Sequence, residues 1–310
     1  MGQKNFLTTT IGIFLTAMVC CMLWGSAFPG VKIGYALFRL DTEFISNLLL
    51  YAGIRFAIAG VLGVLFGSLV RRKPLVPAKG AWGCVVLMAM LQTVLQYIFY
   101  YVGFANTTGV KGSIICGSNS FFSILFACFL FRQEKFTARK AIGCVLGFGG
   151  VVLINLTGGG LGGGFSLTGE GFIVCSSATY ALSSVLMRVF GQKDDPITIS
   201  AYQFLLGGVV LSLIGWGMGG DVQFHSVSCV LLIIYLGFVS AGAFTLWSIL
   251  LKYNPVSKVA IYSVMTPVFG VTLSTILLNE GGQIAPAQIV AALALVSMGI
   301  YTINKPEKKA

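Results

Sequence analysis

Long apolar stretches alternate with short polar connections along the whole chain. Ten stretches can be marked, at residues 9–32, 45–70, 80–104, 109–131, 138–156, 169–190, 197–218, 228–251, 257–278 and 284–303. Each is close to the roughly 20 residues that a helix needs to cross the hydrocarbon core of a bilayer. Because a helix satisfies its own backbone hydrogen bonds in lipid, the pattern predicts an all-α, polytopic membrane protein with ten transmembrane helices.

Two of these stretches share one layout. Residues 109–134, GVKGSIICGSNSFFSILFACFLFRQE, are matched at a constant offset by residues 255–280, so that Glu134 corresponds to Glu280. A layout repeated at a fixed offset indicates an internal repeat. We expect a first repeat at 1–156, a glycine-rich linker at 157–168, a second repeat at 169–304 and a tail at 305–310. Five helices per repeat is an odd number, so the repeats are predicted to be inverted in the membrane.

The composition supports a membrane protein. Hydrophobic residues make up 56% of the chain and charged residues 9%, against about 25% charged in soluble domains. The eight cysteines lie in or beside apolar stretches without metal-ligand spacing, so we expect no metal and no cofactor. A formal GxGxxG pattern within residues 157–164 lies between two membrane stretches and fits a flexible linker better than a dinucleotide site.

The distribution of positive charge predicts the orientation. The net charge is +11, but the basic residues form short clusters between apolar stretches rather than a nucleic-acid-binding domain. Most of them fall in alternate connections, at residues 71–79, 132–140, 188–193 and 252–258, with Lys32, Arg39 and Lys111 on the other side. By the positive-inside rule, both termini are predicted to be cytoplasmic, in a plasma-membrane protein that binds no nucleic acid.

A set of short motifs resembles those of the drug/metabolite transporter superfamily, specifically its ten-helix EamA-type members. The resemblance covers nearly the whole chain, and its residues are Trp24-Gly25-Ser26 with Pro29, Arg55-Phe56, Tyr97–Phe104, Glu134, the stretch Leu236–Ala260, and Thr266-Pro267. It implies two bundles, helices 1–4 and 6–9, facing each other across a central cavity, with helices 5 and 10 peripheral. Pro29 and Pro267 are expected helix bends. The chain departs from the family pattern at Phe121, which stands where the second repeat has Pro267.

Arg55 is the only basic residue well inside a predicted helix. A charge at that depth is costly and commonly functional, which favours a role in attracting a carboxylate or phosphate. A structural role, in capping helix ends or reaching an interface, is the alternative.

Polar and aromatic side chains also recur at helical spacing, as in Gln92, Gln96 and Tyr100. Amides avoid lipid, so such stripes should face the protein interior, either as interhelical hydrogen bonds or as the lining of a cavity. The candidate substrate-binding residues are Trp24, Arg55, Gln92, Gln96, Tyr100, Asn119, Tyr180, Trp247 and Tyr262.

These features together predict a secondary transporter that exports small organic metabolites, amino-acid-like or amphiphilic, by alternating access. The expected partners are a small-molecule substrate and the lipid bilayer, and the chain is a monomer or a homodimer through glycines of helix 5. The alternatives are a membrane-embedded enzyme acting on a lipid-linked substrate, and a receptor or scaffold. Coupling stays open among facilitation, exchange and proton transfer through Glu170 or Glu280. The charge of the substrate is also open, since Arg55 and Lys111 favour an anion while aromatic faces also hold cations.

Overall fold

The computed structural model describes residues 6–157, 165–278 and 286–304, and throughout these residues the regular structure is helical. The predicted tail, Glu280 and most of the predicted linker lie outside them. The helices form ten segments in chain order: α1 (Thr10–Leu37), α2 (Ile45–Arg71), α3 (Trp82–Ala105), α4 (residues 109–130), α5 (Ala138–Thr157), α6 (Leu167–Lys193), α7 (Pro196–Gly217), α8 (Val227–Tyr253), α9 (Val256–Leu278) and α10 (Pro286–Asn304).

Within the described residues, eight of these segments are long and apolar enough to cross a membrane, all except α5 and α10. The prediction of an all-α polytopic membrane protein is confirmed. The total of ten membrane crossings stays a prediction, since the apolar part described for α10 is the shorter stretch Val290–Gly299.

Local sequence signals set the ends of several helices. Asp195 accepts a hydrogen bond at Oδ2 from the backbone N–H of Thr198, 3.0 Å away, and Pro196 is the first residue of α7. Thr9 and Ser226 cap α1 and α8 in the same way. Each cap satisfies an N–H group that has no partner within its own helix.

Glycines bring two pairs of helices into close contact. Along α2 and α7, a Cβ on Gly60 would lie 2.3 Å from the backbone nitrogen of Leu205, and one on Gly208 would lie 2.2 Å from that of Ala57. Small residues permit this approach, and dispersion contacts then hold the backbones together. In α10, a Cβ on Gly299 would lie 2.5 Å from the carbonyl oxygen of Gly143 in α5. Gly143 in helix 5 therefore takes part in packing within the chain, and the homodimer through helix-5 glycines stays a prediction.

Several contacts between helices follow an exchange pattern, in which a contact recurs when each of its two helices is replaced by the counterpart in the other half. α2 packs along α7 and α5 along α10; α1 packs against α8 and α9, while α6 packs against α3 and α4. α8 also contacts α2, and α7 contacts α3. Exchanging each helix for its counterpart in the other half reproduces the contacts named here. The halves are interleaved, because α1 and α2 pack mainly on helices of the second half.

Two helices are interrupted along their length, α4 near its midpoint and α9 in its first half. α4 breaks at Gly117 and Ser118, between Gly109–Cys116 and Asn119–Leu125, and α9 contains a 3-10 turn at Ile261–Val264. With the offset that aligns Glu134 with Glu280, Gly117 and Ser118 correspond to residues 263 and 264. By contrast, α1 runs without interruption through Pro29. π-helical turns occur in α3 at Ala89–Leu95, at the end of α4 and at the start of α6, a type of irregularity that is frequent at functional sites.

Candidate functional site

A small cavity lies where seven helices meet. Its volume is about 60 Å³, whereas one water molecule needs only about 10–15 Å³, so the cavity has room for several waters or a compact solute. Its lining comes from α1, α2, α3, α4, α6, α8 and α9. The lining residues are Trp24, Ala27, Phe28, Arg55, Gln96, Tyr97, Tyr100, Cys116, Asn119, Ser176, Tyr180, Phe244, Ser263 and Thr266.

Most of the candidate substrate-binding residues meet at this cavity. The structure brings six of them together there, although they are spread over α1, α2, α3, α4 and α6: Trp24, Arg55, Gln96, Tyr100, Asn119 and Tyr180. Their role in binding substrate stays a prediction. What the structure adds is that their side chains share one space.

Three candidates lie outside the cavity lining. Gln92 accepts a hydrogen bond from Nε2 of Gln203 at 2.8 Å and so joins α3 to α7. Trp247 lies behind Trp24, with 5.0 Å between the ring centroids. Tyr262 packs its ring 5.9 Å from that of Phe14. Each has the polar or aromatic character of a lining residue, but the helix rotation turns it toward another helix.

Sequence reasoning missed part of the lining. Phe28 stacks on Phe104 with 5.5 Å between centroids, and Tyr97 contacts Phe56 at 4.1 Å. Phe28 follows Trp24 by four residues, so helical spacing from Trp24 was the signal that could have found it. Cys116 carried no comparable signal, and Thr266 was marked only as part of the Thr266-Pro267 motif.

Arg55 is 3% exposed and holds three helices together. Its Nε donates to the carbonyl oxygen of Leu236 at 3.3 Å, Nη2 donates to Oγ of Ser240 at 2.9 Å, and Nη1 donates to Oη of Tyr101 at 2.9 Å. Leu236 and Ser240 belong to α8 and Tyr101 to α3. Arg55 therefore has a structural role, but as a buried link between three helices and not as the helix cap or interface contact considered from the sequence; the side chain also lines the cavity.

The breaks in α4 and α9 face each other. Oγ of Ser120 lies 2.5 Å from Oγ of Ser263 and 3.0 Å from the carbonyl oxygen of Ala260. A Cβ on Gly117 would lie 3.0 Å from Cγ of Pro267. These contacts place the two interruptions at one crossing beside the cavity.

Asn119 lies at the same crossing. Its Oδ1 is buried without a hydrogen-bond partner in the described structure. Asn119 lines the cavity, and its role in binding a substrate stays a prediction.

Two carboxylates organise the ends of the helices around the cavity. Glu134, after α4, pairs with Lys140 of α5 at 2.9 Å and Arg188 of α6 at 3.6 Å, and accepts the N–H of Ser257 in α9 at 3.2 Å. Burial alone would raise the pKa of Glu134, but the hydrogen bonds from Ser257 and Lys140 outweigh it and lower the pKa below its ordinary value.

Glu170, at the start of α6, forms the second cluster. It pairs with Lys111 of α4 at 3.3 Å and accepts Oγ1–H of Thr107 at 2.9 Å and the backbone N–H of Ser166 at 2.8 Å. Lys111 and Glu134 lie at opposite ends of α4, so the two clusters are at opposite ends of the bundle.

The chain is similar to known proteins both in its fold and in its sequence. The fold matches a crystal structure of a protein with a TM-score of 0.68 over 96% of this chain and 97% of that one, at 21% identity. This likeness shows the helical fold alone; the class, a multi-pass membrane protein, rests on the eight long apolar helices of the described residues. The sequence profile of the EamA-like transporter family matches residues 10–156 and again residues 167–305. The chain belongs to this family, which lies within the drug/metabolite transporter superfamily.

Individual relatives carry transporter names. The chain is 27% identical to the uncharacterized transporter YvbV of Bacillus subtilis, covering 99% of this chain and 95% of that protein. It is 26% identical to an uncharacterized transporter of Archaeoglobus fulgidus, over 90% and 94% of the two chains. It is 23% identical to a probable amino-acid metabolite efflux pump of Escherichia coli, over 92% of each chain. Family membership and these relatives make the protein a transporter.

Proposed function

We propose that the protein is a secondary transporter that exports small organic metabolites, amino-acid-like or amphiphilic, by alternating access. The single observation that carries the proposal is the small cavity lined by Arg55, amides and aromatic rings between helices of both halves. Such a lining suits a solute with one polar end and one apolar body. The similarity to a probable amino-acid metabolite efflux pump of Escherichia coli supports export and the substrate class.

Alternating access needs two arrangements of the same helices around one site. The exchange pattern of helix contacts supports two inverted repeats, residues 1–156 and 169–304, related by a two-fold axis in the membrane plane. In this mechanism the breaks at Gly117 and Ile261–Val264 act as hinges, since interrupted helices absorb dihedral changes that a continuous helix resists. The halves then rock about the cavity and expose it to one side at a time.

The ion-pair clusters around Glu134 and Glu170 suit a role in closing the two ends of the helix bundle, and with them access to the cavity. Glu134 connects α5, α6 and α9, whereas Glu170 connects α6 to Thr107 and Lys111 at the start of α4. Opening one end requires separating the partners of one carboxylate while those of the other stay together. With the N-terminus cytoplasmic in the plasma membrane, Glu134 lies at the inner end and Glu170 at the outer end.

Counterflow in proteoliposomes tests this function. The purified protein is reconstituted with an unlabelled mixture of L-amino acids and short organic acids inside, and uptake of each labelled compound is measured. A carrier gives transient, saturable accumulation of at least one labelled compound, recovered chemically unchanged. Repeating the assay with and without a pH gradient distinguishes proton coupling from exchange or facilitation.

A matched pair of variants ties the flux to the cavity. Ala27→Phe adds a ring to the cavity lining, while Val61→Phe makes a comparable enlargement at an exposed position of α2, 47% exposed. Flux should fall at least about tenfold in the first variant and remain in the second, because only the first reduces the space for solute. Absence of counterflow for every compound, or equal flux in the two variants, would count against a carrier with this cavity as its site.

A further inference from the structure

Arg55 lines the cavity and has more hydrogen-bond donors than the described structure uses. A guanidinium has five N–H donors, and the three described hydrogen bonds go to neutral acceptors: the Leu236 carbonyl and the Tyr101 and Ser240 hydroxyls. These acceptors solvate the positive charge without neutralising it. Two donors and a full positive charge therefore remain on a side chain that lines the cavity.

No carboxylate offsets this charge. Among the described residues, no Asp or Glu lies within ion-pair distance of Arg55, and none lines the cavity. Glu134 and Glu170 are engaged by their own lysines. In a space of low dielectric, an uncompensated cation favours an anionic ligand and repels a cationic one.

A second donor faces the same space. Nε1 of Trp24 is buried without a hydrogen-bond partner in the described structure, and the indole N–H can only donate. Gln96 and Asn119 each leave a side-chain oxygen unpartnered there, and amides can rotate to offer either an acceptor or N–H groups. Arg55 and Trp24 can only donate hydrogen bonds, so both require an acceptor on the ligand.

The remaining surface defines the body of the ligand. Phe28, Tyr97, Tyr100 and Phe244 present rings to the cavity, which suits a flat, apolar group. The cavity volume of about 60 Å³ limits that group to a compact one. An ammonium group would meet ring faces and amide oxygens but no carboxylate.

We propose that the transported substrates are compact organic monocarboxylates, with the carboxylate bound to Arg55 and Trp24, and that net-negative acids are selected over the corresponding zwitterions. This inference rests on the proposed transport function, whose substrate class it narrows. Arg55 thus has two roles: it joins α2 to α3 and α8, and it supplies the anchoring charge.

Four probes of similar shape and of a size that the cavity admits test the charge preference. Binding of propanoate, propanamide, L-alanine and ethylamine is measured by calorimetry and by thermal shift on the purified full chain. Propanoate should bind about 10- to 100-fold more tightly than propanamide, in line with the strength of hydrogen bonds to charged groups. L-Alanine should bind more weakly than propanoate, and ethylamine most weakly. Equal binding of the acid and its amide, tighter binding of ethylamine or L-alanine, or no binding of any probe would overturn the proposal.

Variants of Arg55 and Asn119 test whether Arg55 causes the preference. Arg55→Lys should retain a preference for propanoate over propanamide, and Arg55→Gln should abolish it while propanamide still binds. Because Arg55→Gln also removes helix contacts, Asn119→Asp provides a test that keeps Arg55: a carboxylate in the cavity lining should remove the preference for propanoate and strengthen binding of ethylamine. An unchanged order of affinities in Asn119→Asp would contradict the proposal even if Arg55→Gln does not fold.

Binding and counterflow together distinguish this inference from the transport function. Counterflow of other compounds without propanoate binding refutes the monocarboxylate class and leaves the carrier intact. Tight propanoate binding, without counterflow of propanoate or of any other compound, refutes the carrier and leaves the anion site intact.

Discussion

Helices α4 and α9 occupy corresponding positions in the two halves, yet different chemistry interrupts them. In α9 a 3-10 turn at Ile261–Val264 leads directly into a helix whose third residue is Pro267. In α4 the break comes at Gly117 and Ser118, and Phe121 stands where the second half has Pro267. The sequence pattern left open whether α4 bends without a proline. The structure shows that it is interrupted at the corresponding place.

The difference shows that the position of the break is set by the crossing and not by proline alone. Gly117 allows Pro267 to approach, and the Ser120 and Ser263 hydroxyls meet across the two helices. Phe121, in turn, is fully buried and packs its ring against Gly147 of α5. In the first half, Phe121 therefore takes the place of the proline, and its contact with Gly147 connects the interrupted α4 to α5.

The largest expected effect comes from removing the space for Phe121. In Gly147→Ala, the new Cβ would lie 1.7 Å from Cζ of Phe121, so the ring must move, at an expected loss of about 1–3 kcal/mol in stability. Gly149→Ala in the same helix is the matched control, because among the described residues no atom beyond the neighbouring backbone of its own helix lies within 4 Å of its Cβ position. Thermal unfolding in detergent should show a fall of several degrees for Gly147→Ala and no loss for the control. Equal melting temperatures for the two variants would mean that the Phe121 contact does not hold α4.

The second-largest expected effect comes from Glu134, the carboxylate after α4 that accepts the backbone N–H of Ser257 in the first turn of α9. Glu134→Gln removes the charge that pairs with Lys140 and Arg188, with an expected loss of about 1.5 kcal/mol near neutral pH. The pKa of Glu134 is lowered in the folded protein below its ordinary value of 4.5. Its contribution is therefore complete above pH 4.5 and is lost as the pH falls through the lowered pKa.

Melting temperatures measured from pH 7 down to pH 3 test this dependence. The difference between the wild-type protein and Glu134→Gln should be constant at high pH and shrink below pH 4.5. Glu43→Gln, which changes an exposed carboxylate before α2, is the control and should follow the wild type throughout. A difference that grows on acidification would contradict the assignment of the lowered pKa.

The smallest expected effect comes from the contact between Ser120 of α4 and Ser263 of α9. Ser120→Ala and Ser263→Ala each remove one hydroxyl from the pair 2.5 Å apart, and each should cost about 1 kcal/mol. The double variant should lose less than the sum, since the bond between the two hydroxyls is already lost in either single variant, which leaves the remaining hydroxyl only its bond to the Ala260 carbonyl. Additive losses in this double-mutant cycle would show that the two hydroxyls do not support each other.

Much of the fold could be predicted from the chain alone. Ten apolar stretches appeared as ten helical segments, and Asp195 and Pro196 start α7, because length, hydropathy and helix caps are local properties. The cavity was predicted in part. Trp24, Arg55 and Asn119 were marked by unusual polarity within apolar surroundings, whereas Trp247 and Tyr262 showed the same character but point elsewhere.

What the sequence by itself determined is the class of protein and the residues whose chemistry is costly in a membrane. The free energy of placing a side chain in lipid depends on that side chain and its neighbours along one helix, so it can be read from the chain. The tertiary structure alone decided which of these residues share a cavity and that Arg55 has no carboxylate beside it in the described structure. Those properties depend on the rotation and close approach of helices far apart in the chain, which glycines such as Gly60 and Gly208 set through contacts with residues more than a hundred positions away.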